Sequence, residues 1–152
     1  APPEEVTGTL TWSEDDCTED PERVGPVEWN IGAACAVDID WSDPRLQGTV
    51  VRKHNGMSYS LEDDVELDID SNVLDIVTDV GAWRMRPHIR FHFEPWSDPG
   101  SAEWYVLDGE GDYEGLSVVL VAKRGGRDLR GFIISTDLVP PAPEGASSKW
   151  QG

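Results

Sequence analysis

Five cationic or titratable residues, Arg84, Arg86, His88, Arg90 and His92, occupy the even positions of the stretch GAWRMRPHIRFHFEPW. The whole chain carries 30 Asp and Glu against 12 Lys and Arg, a formal net charge of −18, so such a concentration of cations is unusual. Three uses are open to it. Facing water beside a strand bearing Glu66, Asp68 and Asp70, it is a ladder of ion pairs, each worth little. Set in a groove or mouth, its guanidinium forks would clamp a carboxylate or another anion. Left uncovered, it is a docking stripe for an acidic copy of the same protein.

The odd positions of that stretch are apolar: Trp83, Met85, Ile89, Phe91 and Phe93. A single register would gather all of them on one face, and Pro87, which has no N–H for the ladder, predicts an edge or a bulge there. Trp83, Met85, Phe91 and Phe93, joined by Trp104 and Tyr105, are the candidates for lining or sealing an interior that takes a hydrophobic small molecule. The alternative is a small barrel that the same side chains fill completely.

Other chemistry is thinner. Asp38, Asp40 and Asp43, and Glu62, Asp63 and Asp64, are hard-oxygen clusters of the kind calcium takes. Asp68-x-Asp70-x-Asn72 opens like an EF-hand loop but lacks Gly at the sixth position and Glu at the twelfth. No other metal set and no cofactor motif is present. Two cysteines, Cys17 and Cys35, cannot assemble four zinc ligands. A disulfide between them closes a loop of about eighteen residues, worth roughly 3 kcal/mol in the chain-entropy model. No Ser-His-Asp spacing stands out. The charge argues against nucleic acid and against anionic membrane surfaces, and no run of apolar residues is long enough for a transmembrane helix. The opening Ala-Pro-Pro without Met reads as a mature secreted chain, though an engineered start would read the same way. With the disulfide it points to an extracellular protein.

The elements that must position these residues are strands. A length of 152 residues fits one domain, and glycines and prolines spread along it favour many short strands and turns. Val6 to Trp12 alternates. So does Ala34 to Trp41, with Cys35, Val37, Ile39 and Trp41 against Asp38 and Asp40. Gly25 to Asn30 is a possible short strand, and Gly48 to His54 is the next. Asn55-Gly56 is the best hairpin signal, with Met57 to Leu61 as its return. Val65, Leu67 and Ile69 then point inward, and the apolar parity changes at Ser71-Asn72, which predicts a bulge or tight turn. Ala102 to Ser135 reads as three successive strands joined by GEGDYEG and RGG.

Three of these places carry a family resemblance: SDPRLQGT (Ser42–Thr49), GAW (Gly81–Trp83) and LDGEGDYEGLSVVL (Leu107–Leu120). Together, over roughly Ala36 to Pro141, they resemble a group of secreted bacterial β-barrel proteins with no assigned activity. The Gly109-x-Gly111-x-Tyr113-x-Gly115-Leu116 turn is similar to one in the allene oxide cyclase-like barrels, a class that includes dirigent proteins and small polyketide cyclases. The stretch RMRPHIRFH departs from that pattern, where Thr and Gly are expected. The motif itself is structural: the glycines permit angles closed to other residues, and Tyr113 can cover a barrel end.

The expected architecture is therefore all-β. Residues 1–139 form a single antiparallel barrel of about eight strands with short turns, its acidic loop 13–22 stapled by the disulfide, and 140–152 form a Pro-rich tail. The leading function is an extracellular binding or interaction module, self-assembling if the tail docks on a neighbour, taking a hydrophobic or anionic small molecule. The resemblance adds a cyclase or isomerase that works by holding its substrate in a reactive shape. A structural surface protein is the third reading.

Overall fold

The computed structural model describes residues 2–13, 21–62, 65–94, 102–123 and 126–141, with backbone alone for 61–62, 65–66, 70 and 88–94. Its strands are β1 (Glu4–Ser13), β2 (Glu22–Val24), β3 (Val27–Trp41), β4 (Thr49–Glu62), β5 (Val65–Val77), β6 (Gly81–Met85), β7 (His88–Glu94), β8 (Ala102–Gly111), β9 (Leu116–Lys123) and β10 (Asp128–Ser135). There is no α-helix among the described residues. Eight strands run in the antiparallel order β1-β10-β9-β8-β6-β5-β4-β3, and β3 returns to β1 between Gly8↔Trp41 and Ser13↔Val37. The sheet is a closed eight-strand barrel, as the alternation predicts.

One end of it is solid. In β3 the odd residues Cys35, Val37, Ile39 and Trp41 are buried while Asp38 and Asp40 are exposed, the alternation of a strand with one face in a core. Gly8 of β1 makes room for this: a Cβ there would lie 2.6 Å from the Trp41 ring. Past Trp41 the chain makes a 3-10 turn, Pro44–Leu46, and drops the fully buried Leu46 into the barrel end. Asp43 caps that turn, accepting the Arg45 N–H at 2.9 Å and pairing with the Arg45 guanidinium at 2.7 Å. The Arg45 carbonyl in turn accepts the indole N–H of Trp83 at 2.9 Å, so a fully buried Trp has its polar atom satisfied.

The glycine turn completes this floor. Gly111 (φ 68) and Gly115 (φ 87) adopt the left-handed region, and a Cβ on Gly109 would lie 2.2 Å from the Tyr113 carbonyl oxygen. That close return folds Tyr113 under the barrel, where its ring stacks on Trp83 at 4.7 Å between centroids and 14° between planes. Its hydroxyl shares a 3.1 Å hydrogen bond with the Thr78 side chain.

Four local expectations fail, for identifiable reasons. Asn55-Gly56 is not a hairpin, since β4 runs unbroken through it. Asn55 instead stands opposite a bulge at Ile31-Gly32 of β3, and its side-chain oxygen accepts the Gly32 N–H at 2.7 Å. The predicted break at Ser71-Asn72 is absent, because β4 and β5 keep one register from Thr49↔Val77 to Ser60↔Glu66. The parity change there is real but reflects a change of environment along one strand. Even positions, Ile76 and Asn72 among them, face the interior, so Leu67 and Ile69 lie on the opposite face, which corrects their inward assignment.

The fourth correction concerns Pro87. Asp75 pairs with Arg84 but Asn72 pairs with His88, so β6–β7 uses one more residue than β5 over the same span. A one-residue slip exchanges the two faces of a strand, and the single register expected from Trp83 to Phe93 does not exist. The strand also changes neighbours. Arg86 donates its N–H to the Val106 carbonyl at 2.8 Å, and beyond it β7 pairs only with β5 among the described residues. The barrel wall therefore parts into two leaves, β1-β10-β9-β8 and β2-β3-β4-β5-β7.

The Tyr113 plug yields a graded stability test. Tyr113→Phe loses one hydrogen bond and should cost about 1 kcal/mol, whereas Tyr113→Ala opens the floor beneath Trp83 and should cost ~3 kcal/mol or more. Urea unfolding of the three proteins checks the order, and equal midpoints for wild type and Tyr113→Ala would refute the plug.

Candidate functional site

Above the floor, side chains no longer meet across the barrel. A cavity of about 470 Å³ remains, within the usual range for small-molecule sites. Strand alternation builds its wall: Leu10 from β1, Val37 and Ile39 from β3, Leu74 from β5, Met85 from β6 and Leu107 from β8 face it, with Leu120 of β9 and Leu129 of β10. The same residues, or their neighbours two positions away, pack the core below, so wall and floor are one continuous apolar surface.

The polar groups gather at the end where the leaves part. Arg52 of β4, Asn72 of β5, Glu103 of β8, Lys123 of β9 and Arg127 of the β9–β10 turn all line the opening. The Tyr105 hydroxyl donates to the Glu103 carboxylate. A smaller hollow of about 170 Å³ continues along the same face of the second leaf, among Glu28, Asn30, His54 and Asp68. There Asn30 Oδ1 is buried without a hydrogen-bond partner among the described residues.

The sequence candidates for the lining divide. Met85 and Tyr105 face the cavity. Trp83 seals its floor instead. Trp104 is 64% exposed, because adjacent residues of a strand point to opposite faces and Tyr105 holds the inward one. Phe91 and Phe93 stand level with Ile69 and Leu67 in the register, and their side chains lie outside the described residues.

The cationic row is not one face, since the slip at Pro87 divides it. Arg84 lies on the outside of the barrel, 3.3 Å from both Asp75 and Glu110. Arg86 forks onto both oxygens of Asp108 at 2.7 and 3.0 Å and reaches the Pro140 carbonyl at 3.1 Å. His88, Arg90 and His92 pair in register with Asn72, Asp70 and Asp68, and their side chains lie outside the described residues. The two described guanidinium groups of the row are thus occupied by carboxylates, as the ladder reading expects, although the acids are Asp75, Glu110 and Asp108.

Arg86 and Asp108 form the tie at the point where the wall parts. The Ser117 hydroxyl donates to Asp108 at 2.7 Å and shares a 3.0 Å bond with Thr136, so the tie reaches β9 and the turn after β10. The Arg86 hydrogen bonds hold the Asp108 carboxyl below the usual carboxylate range, against an opposing effect of burial.

Acidic clusters behave as strand surfaces. Asp38 and Asp40 point outward from β3, and Asp43 is taken up by Arg45. Asp68, Asp70 and Asn72 belong to an unbroken strand, which corrects the EF-hand-like loop start. Asp63 and Asp64 lie outside the described residues, and Glu62 is described by backbone alone. No group of three or more metal-type ligands stands together among the described residues. Cys35 is buried in β3, and Cys17 lies outside the described residues.

What the sequence reading missed is the opening itself: Arg52, Lys123 and Arg127 received no role. Val50 and Val51 precede Arg52, so its parity was ambiguous, and the RGG turn was read only as a joint.

No family model, curated protein or solved structure matches the chain.

Asp108 ionises more readily in the folded chain than in the unfolded one. Its contribution is present above the unfolded carboxylate range and is lost as pH falls through the lower folded value. Stability of the wild type should therefore drop below about pH 4, the unfolded Asp range, more steeply than that of Asp108→Asn. Urea midpoints at pH 6 and pH 3 check this, and parallel acid losses would remove the tie from the account.

Proposed function

We propose that this chain is a binding module that encloses a small, largely apolar molecule in the open half of its barrel. The single observation that carries the reading is the 470 Å³ cavity walled by side chains from every strand of the barrel. At roughly 30 Å³ for each water-sized group at liquid density, it has room for on the order of fifteen non-hydrogen atoms. Burial of such a body from water supplies the affinity, and the parted leaves supply the way in.

The module acts outside the cell in this reading, with Cys17 and Cys35 bridged. Supporting the bridge, no described cysteine is a free thiol, and a staple across the acidic loop suits an oxidising compartment. The unreduced chain should then weigh less than the reduced one by two hydrogens in intact-mass measurement; equal masses would rule the bridge out.

A cyclase or isomerase of the allene oxide cyclase-like kind is the second reading, favoured by the Tyr105–Glu103 pair in the cavity wall. There the walls would hold a flexible substrate near its reactive shape, and the pair would supply the polar contact. Self-assembly and a structural surface role rest on residues 142–152, which lie outside the described residues.

Filling the cavity tests the leading reading. The neutral fluorescent probe N-phenyl-1-naphthylamine should bind the wild type and bind Leu74→Trp at least tenfold more weakly. Trp104→Ala, on the outer face, should leave binding unchanged. Probe binding that survives Leu74→Trp would overturn the cavity as the site.

A further inference from the structure

We infer that the molecule taken up is an anionic amphiphile, its head group held at the mouth by Arg52, Lys123 and Arg127 and its apolar body inside. The inference rests on the binding reading above and specifies the ligand class.

Charge bookkeeping within the chain carries it. Arg23, Arg45, Arg84 and Arg86 each hold a carboxylate. Arg52, Lys123 and Arg127, together with Lys53 and Arg130 outside the cavity lining, make no ion pair among the described residues, although the chain has 30 acidic side chains against 12 basic ones. Shortage of acids therefore does not explain their being left open. Arg52, Lys123 and Arg127 border one cavity, where the one carboxylate among the described lining residues, Glu103, already accepts the Tyr105 hydroxyl.

Their placement suits a head group. Arg52 belongs to the leaf containing β4, while Lys123 and Arg127 belong to the opposite leaf, so the cations stand on both sides of the opening. Local bonds set the turn that carries the latter two: Gly126 N–H donates to the Lys123 carbonyl at 2.9 Å, and Leu10 N–H donates to the Arg127 carbonyl at 2.8 Å. The three side chains are exposed, so they need no costly desolvation until a ligand arrives. Arg forks match a carboxylate in two-point geometry. Just inside them the wall is Leu10, Leu74 and Leu129, which suits a saturated chain. A protein of net charge −18 repels an anion at long range, so this rim is what reverses the sign locally.

Decanoate and 1-decanol, competing against the same neutral probe at pH 7.5, test the inference. The wild type should prefer decanoate by tenfold or more. The double variant Arg52→Gln/Arg127→Gln should lose that preference, or invert it, while its affinity for 1-decanol and its melting curve stay those of the wild type. Equal displacement by the two compounds from the wild type, or an undiminished preference in the variant, overturns the anionic head while leaving the cavity reading intact. Displacement by neither, with the probe bound, also overturns it. The cavity reading falls separately, if Leu74→Trp fails to weaken the probe.

Discussion

Pro87 has no amide hydrogen to give, and the wall of the barrel divides at that residue. Before it, β6 bridges β5 and β8 and the sheet is closed. After it, β7 continues along β5 in a register slipped by one, and among the described residues β8 loses that neighbour. A continuous strand would have sealed the barrel along its whole length. The slip leaves a seam, and the interior can be reached there only because the backbone on both sides has other partners. Arg86, next to the break, keeps the seam from running further: its amide holds β8 and its guanidinium holds Asp108.

Below the seam the molecule obeys a different rule. Trp83 stacks on Tyr113, both are buried with Leu46 in one core cluster, and the polar atoms of the two aromatics are spent locally, on Arg45 and Thr78. Burying large side chains of this kind contributes on the order of 1.5–3 kcal/mol apiece. Stability is therefore concentrated at one end. The other end gives up cross-barrel packing, and its wall of Leu10, Leu74 and Leu129 is only partly buried.

Alternation made the closed half legible in the sequence. Val37, Ile39 and Trp41 against Asp38 and Asp40 named both faces of β3, and the glycines around Tyr113 named a tight return that covers a barrel end. The open half was not legible, for three physical reasons. Local turn chemistry at Asn55-Gly56 was overridden by a bulge on the neighbouring strand, which no one-dimensional pattern shows. The slip at Pro87 moved the register of β7 by one residue relative to β6, and the sequence marks the proline but not the direction of the shift. Whether Leu74 meets a partner across the axis depends on barrel diameter, a property of all eight strands together. Trp104 and Tyr105 are a different case: both were taken for the lining as aromatics, although neighbours on a strand cannot both face in, so alternation alone excludes one of them.

Division of labour between the two halves has a consequence for substitution. Floor residues are locked by mutual contact: a methyl on Gly109 would strike the Tyr113 carbonyl, which lies 2.2 Å from where it would sit. The hollow half carries no such veto, since a wall that touches nothing opposite can change size without displacing anything. Side chains near the seam can therefore be rewritten without disturbing the end that makes the chain fold.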